Sequence, residues 1–313
     1  MRESDQLSRY PMETVKLASI NQKPTLKQAS LHMNASLGTA ILQMQPEPRP
    51  CFTPTLLEDI RAFHTYMSQS IDLDQQTKGY SDWKYIVLAS GDEQTFNLGG
   101  DLALFVELIE QRDRNKLMDY ATACIDGAYG FHTHLGQPVT SIALVEGNAQ
   151  GGGFEAALSC NVIIAERGTH LGFPEVLFNM FPGMGAYSFL SRRVGSSLAE
   201  RLIYSGDLYT AETLYDLGVI DILADEGAGH QALTNYIRTA QRRTNALKLI
   251  RHVRQTYHTV PYEELLGITT QWVDAALNLQ RNEIGIMQRL VRAQNKRAAK
   301  LAESHQKELR QAT

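Results

Sequence analysis

Cysteine is scarce in this chain. The three present, Cys51, Cys124 and Cys160, cannot all pair and show no Cys-x-x-Cys spacing, so they are expected as buried thiols rather than as a disulfide framework or a redox motif. A basic excess is also missing: a formal net charge of -4 over 313 residues argues against a general nucleic-acid binder. No uninterrupted apolar stretch is long enough to span a bilayer, and Met1-Arg2-Glu3-Ser4-Asp5-Gln6 lacks the apolar core of a signal peptide. The expected location is therefore the cytoplasm, without membrane insertion. No Gly-x-Gly-x-x-Gly with a following ribose-binding acid occurs, which sets aside a dinucleotide fold. His132-Thr133-His134 has metal-binding residue types, but it falls in an expected helix over Asp119 to Leu135, where positions two apart point in different directions. No metal site is expected.

What is present is concentrated at two glutamates, Glu155 and Glu175, each set among glycines and apolar residues. A carboxyl in apolar surroundings holds its proton more tightly, so its pKa rises toward the range where it can both give and take protons. Glu155 closes Gly151-Gly152-Gly153-Phe154-Glu155, directly after the strand-like run Thr140 to Val145. Those glycines let a ligand approach the backbone, and the helix opening at Glu155 has unpaired N–H groups with the helix dipole behind them. A second glycine turn, Asn97-Leu98-Gly99-Gly100-Asp101, follows the apolar strand Tyr85 to Ala89 and opens a helix at Leu102. Two such turns could aim two N–H groups at one carbonyl oxygen. Each turn alone also arises from close helix–strand packing, and paired carboxyls also mark glycosidases. The glycines favour acyl chemistry.

At these residues the chain resembles the crotonase superfamily, which includes the enoyl-CoA hydratases. The matching stretches are Phe96 to Leu102, Val145 to Glu155, Gly172-Phe173-Pro174-Glu175 and Phe181-Pro182-Gly183-Met184-Gly185, in the right order and spacing. The resemblance implies catalytic acids at Glu155 and Glu175 and oxyanion-hole amides at Leu98 and Gly152. It further implies substrate contacts at Gly99, Gly100, Gly151, Gly183 and Met184. A narrower resemblance, to the synthases of diffusible signal factor, runs through Asn97 to Phe105, Gly151 to Cys160, Pro174 to Phe178 and Phe181 to Phe189. It continues at Leu208 to Glu212, Trp272-Val273-Asp274 and Leu290 to Gln294.

The expected fold is α/β, a crotonase-like spiral of ββα turns with a helical C-terminal trimerisation region. Residues 1–30 are read as an extension, 31–225 as the spiral core and 226–313 as the helical part of the same domain. Gln28 to Asn34 and Leu37 to Met44 read as paired strands around an Asn-Ala-Ser turn. Thr53-Pro54 reads as the cap and first position of a helix running to about Gln69. After Pro261 apolar residues fall at helical spacing, and the tail is basic: Arg289, Arg292, Lys296, Arg297, Lys300, Lys307 and Arg310 against Glu303 and Glu308. That tail reads as a solvated helix face or as a dock for an acidic carrier protein.

The resemblance implies an enzyme that dehydrates 3-hydroxyacyl-acyl carrier protein to a cis-2-enoyl thioester and hydrolyses it to the free acid. It would need no cofactor beyond the acyl carrier protein or coenzyme A thioester that is its substrate. Its partners would be the carrier protein and further copies of itself, as a trimer or dimer of trimers, and a regulatory signalling protein is admitted as well. An ordinary enoyl-CoA hydratase needs the same four groups. The apolar Leu102-Ala103-Leu104-Phe105-Val106 after Asp101 weighs against that reading and suits a long acyl tail. A silent scaffold that binds an acyl ligand or a regulator is the non-enzymatic alternative.

Overall fold

The computed structural model describes residues 22–311, so most of the expected N-terminal extension lies outside the described residues. The chain enters through the antiparallel hairpin β1 (Ala29–Asn34) and β2 (Thr39–Met44), beginning two residues before the expected boundary. Asn34 Oδ1 accepts from Ser36 Oγ and Leu37 N–H, which closes the turn. Helix α1 (Pro54–Lys78) starts where the sequence places it, with Thr53 accepting the Leu56 N–H and proline in the first turn. It runs past the expected end near Gln69. The segment after Gln69 is polar but contains no breaker, Ile71 keeps the buried face, and the helix stops only at left-handed Gly79.

From there each circuit of the chain lays one long and one short strand. β3 (Tyr85–Ser90) and β4 (Thr95–Asn97) precede α2 (Leu102–Glu110) and α3 (Arg114–His132). β5 (Thr140–Val145) and β6 (Asn148–Gln150) precede α4 (Gly152–Ser159). β7 (Val162–Glu166) and β8 (His170–Gly172) are followed by a short 3₁₀ turn, Pro174–Phe178, then α5 (Ala186–Val194) and α6 (Ser196–Ser205). β9 (Leu208–Thr210), α7 (Ala211–Asp216) and β10 (Ile222–Ala224) complete the two sheets. The long strands, with short β10 at one edge, form a six-stranded sheet in the order β1-β2-β3-β5-β7-β10, and the remaining short ones a four-stranded sheet in the order β4-β6-β8-β9. This is the expected spiral of ββα turns. Four helices close the chain: α8 (Gly229–Gln241), α9 (Thr244–Tyr257), α10 (Tyr262–Ala276) and α11 (Arg281–Gln311).

The continuous apolar runs of β3, β5 and β7 follow from burial on both faces. Ile86, Leu88, Ala143 and Val145 face the core under α1 and α3, while Val87, Ile142, Leu144 and Ile164 face Leu233 and Ile237 of α8. One expected helix differs in its bounds: α3 begins at Arg114, where Asp113 caps the Lys116 N–H, and ends at His132. His134 and Leu135 have positive φ and leave the helix, so the two histidines belong to different structures. The expected thiols are indeed free, Cys51 and Cys160 buried and Cys124 half-buried. Burial pushes all three up to about 12, which disfavours the nucleophilic thiolate. No helix among the described residues is long and apolar enough to cross a membrane.

Candidate active site

The two glycine turns meet backbone to backbone. Gly151, with φ +52°, ends β6, and α4 begins at once with Gly152. A side chain on Gly151 would collide with the Glu175 carboxyl. Gly99, with φ +92°, packs from the other side, where a Cβ would lie 2.8 Å from the Gly152 nitrogen. Only glycine permits this approach.

Which amides remain available is decided by hydrogen bonds. Leu98 N–H already donates to Pro50 O at 2.7 Å and is not a free donor, which corrects its expected oxyanion role. Gly99 N–H donates to Asn97 Oδ1 at 2.8 Å. Gly100 N–H and Gly152 N–H donate no hydrogen bond among the described residues, and a methyl placed on Gly152 would lie 3.4 Å from the Gly100 nitrogen. The adjacent free amides are therefore Gly100 and Gly152. Gly99 is corrected as well: it supports Gly152 and is absent from the cavity wall.

Distant groups hold the Leu98–Asp101 turn in place. Phe52 N–H donates to Gly99 O at 2.8 Å, Asp101 N–H donates to Tyr120 Oη at 2.9 Å, and Tyr120 Oη donates to Phe52 O. Asp101 Oδ1 caps α2 through the Ala103 and Leu104 N–H groups. The same oxygen accepts Arg49 Nη2 at 2.7 Å, the two side chains being 9% and 13% exposed. Arg49 Nη1 donates to Asn295 Oδ1 of α11 at 2.9 Å. Sequence reading missed Arg49, Pro50 and Tyr120, because no motif links them to a turn that lies 52 residues from Arg49 and 19 from Tyr120.

Glu155 and Glu175 face one cavity from opposite turns. Glu155 lies in the first turn of α4, and its Oε1 accepts the Met184 N–H at 2.8 Å and the Ala186 N–H at 2.9 Å. Met184 thus anchors a carboxyl as well as lining the wall. Burial raises Glu155 to about 7, the two N–H bonds opposing the rise. Burial, and next the charge of Glu155, raise Glu175 to about 8. Its Oε2 is buried without a hydrogen-bond partner among the described residues. Two carboxyls that resist simultaneous ionisation hold one proton between them near neutral pH.

The cavity encloses about 1260 Å³ including its open mouth. Leu98, Gly100, Gly151, Gly152, Glu155, Glu175, Gly183 and Met184 all line it, and among the described residues the two glutamates are the only carboxylates in its wall. Leu57 and Ile60 of α1, a stripe of α3, and Trp272 of α10 form the apolar interior, while Ile286, Met287, Leu290 and Gln294 of α11 lie along one side. Such a wall takes an apolar chain and leaves the amides and carboxyls to act on its polar end.

Residues 67–266 match the family profile of enoyl-CoA hydratase/isomerase. A Bacillus subtilis (strain 168) "probable enoyl-CoA hydratase" is 27% identical over 189 residues, covering 60% of this chain and 67% of the relative. Across the three curated relatives compared, the matches span 32% to 67% of each relative's length. Among solved structures, Pseudomonas aeruginosa DspI aligns with a TM-score of 0.57 at 22% identity, over 74% of this chain and 88% of that one. An enoyl-CoA hydratase from Bacillus halodurans aligns with a TM-score of 0.68 at 19% identity, over 83% and 98%. At these identities the structural likenesses establish the fold.

Proposed function

The chain belongs to the enoyl-CoA hydratase/isomerase family, and on that premise we propose that it is a synthase of cis-2-unsaturated fatty acid signals. It dehydrates a 3-hydroxyacyl thioester on acyl carrier protein and hydrolyses the cis-2-enoyl product to the free acid. The observation that carries this reading is the pair of free amides, Gly100 and Gly152, beside two buried carboxyls in an apolar cavity. The run of residues shared with diffusible signal factor synthases, and the apolar Leu102 and Phe105 in the wall, support the finer assignment.

The thioester oxygen accepts both amides, which stabilise negative charge there and acidify the α-carbon. Glu175 takes the α-proton. Glu155 gives its proton to the 3-hydroxyl, which departs as water while the C2–C3 double bond forms. The working pair therefore has its proton on Glu155 and its charge on Glu175, one of the two singly protonated forms that burial and mutual repulsion favour near neutral pH. In the second step the same amides hold the tetrahedral oxyanion, a carboxylate activates water, and the carrier thiol leaves. None of these steps calls on a metal or redox cofactor.

The exposed Arg289, Arg292 and Lys296 lie along α11 beside the wall residues Leu290 and Gln294, a placement that favours an acidic carrier at the mouth. The side chains of Arg297, Lys300, Lys307 and Arg310 lie outside the described residues. The exposed Leu249, Ile250, Val253 and Tyr257 on α9 favour assembly with further copies, as a trimer or dimer of trimers in the cytoplasm. The test is incubation with 3-hydroxyacyl carrier protein and with the coenzyme A thioester, following enoyl thioester and free acid separately. Enoyl formation without acid release identifies an ordinary hydratase. Neither product identifies a binding scaffold.

A further inference from the structure

We propose that Gly127 sets the length of the acyl tail the cavity accepts, an inference that rests on the acyl-thioester reading above. Cys124, Gly127, Ala128 and Phe131 recur at helical spacing on α3 and all line the cavity, opposite Leu57 and Ile60. Gly127 lies inside a 19-residue helix, where glycine is less favourable than alanine. Its φ is not in the left-handed region, so the backbone does not require glycine. Packing does not require it either, because a Cβ there would meet only Ile60 Cγ2, at an ordinary 3.5 Å. Gly130, one turn on, differs: a Cβ would collide with the His64 ring. What Gly127 leaves is room inside the cavity that Glu155 and Glu175 also line.

The direction of the tail follows from the ends of the stripe. Cys124 is close enough to Glu155 to feel its charge, which marks the reacting end. Phe131, 1% exposed, stacks on Phe63 at 6.3 Å and meets His64 edge-on at 4.6 Å, which makes a stiff end wall. From residue 124 to residue 131 a helix rises ~10 Å, the length of roughly eight methylenes. Gly127 stands near the middle of that path, so a large side chain there halves the reach.

The test uses the full chain and the fluorescence of Trp272, a wall residue; the other tryptophan, Trp83, is not in the wall. Hexanoate, octanoate, decanoate and tetradecanoate are titrated into wild type, Gly127→Ala and Gly127→Leu. Wild-type affinity should rise about fourfold per methylene until the tail reaches the end wall. Gly127→Leu should bind hexanoate within about twofold of wild type and lose tenfold or more for decanoate, since several buried methylenes are displaced. Gly127→Ala should shift the same way by less and melt no lower than wild type, because alanine is the better helix former. Equal losses for all lengths, no loss at any length, or a lower melting temperature for Gly127→Ala would each overturn the proposal, as would wild-type binding that ignores chain length. Binding needs no turnover. Length-graded binding by a protein that dehydrates nothing would leave the Gly127 gate standing and remove the proposed reaction.

Discussion

The two glycine turns that meet at the cavity are held by different parts of the chain. The Gly151–Gly153 turn is fixed by its own residues and by the paired strand of its sheet: Gly151 N–H donates to Gly172 O of β8, Gly151 O accepts the Phe154 and Glu155 N–H groups, and α4 follows without a break. The Leu98–Asp101 turn is fixed from afar, by Pro50 O, Phe52, Arg49 and Tyr120. A turn held locally carries its geometry in its own residues. A turn held from outside presents whichever amide its distant partners leave unpaired. The first turn can be broken at its carboxyl, the second at its free amide or at its supports.

The largest effect is expected at the carboxyl pair. Glu155→Gln and Glu175→Gln keep size and remove titration, so each should slow enoyl formation roughly 10²- to 10⁴-fold in a single-turnover assay. The double variant should fall far short of the product of the single losses, since the two share one proton and one substrate. Near wild-type turnover in either variant removes that residue from the chemistry.

The same pair should govern stability against pH. Both folded-state values lie above the ordinary carboxyl value of 4.5, so the folded state binds protons more tightly than the unfolded chain. The contribution is fully present below about 4.5 and is lost as pH rises through about 7 and about 8. Glu175→Gln should melt like wild type at pH 4 and higher at pH 9. A pH-independent difference in melting temperature would contradict the burial of this carboxyl.

The second turn is tested by replacing a peptide N–H with an ester oxygen through semisynthesis. At Gly100 this removes one of two amides facing the thioester oxygen, and the rate should fall about a hundredfold, ~3 kcal/mol. Its support is tested by Arg49→Met, which leaves the Asp101 carboxylate nearly buried and without its cation. A loss of about 3 kcal/mol in a denaturant titration is expected, the lower end for a broken buried pair. Turnover should fall with it, because Asp101 also caps α2.

These contrasts also explain what was legible in the sequence. The apolar runs of β3, β5 and β7 and the glycine words around Glu155 are local features, and the spiral and one side of the site follow from them. The end of α1 is illegible because Ser70 to Lys78 is polar helix with no breaker before Gly79. The end of α3 is illegible because His134 and Leu135 turn on backbone angles that their residue types do not announce. Leu98 and Gly100 look alike as donors in the sequence, two N–H groups in one glycine turn. Only the fold brings Pro50 O to one of them. Gly99 was misread for the same reason, its glycine serving contact with Gly152 rather than with a ligand.

The smallest effect is therefore the sharpest test of that difference. An ester at Leu98 removes the N–H that Pro50 O accepts, and nothing that faces the cavity. One backbone hydrogen bond is worth about 1 kcal/mol, so the variant should lose about that much stability. Its rate should stay within about twofold of wild type, while the Gly100 ester, two residues on, retains stability and loses the rate. If instead the Leu98 ester slows turnover a hundredfold, Pro50 must release that amide when substrate binds, and the turn held from afar would be a moving part rather than a fixed frame.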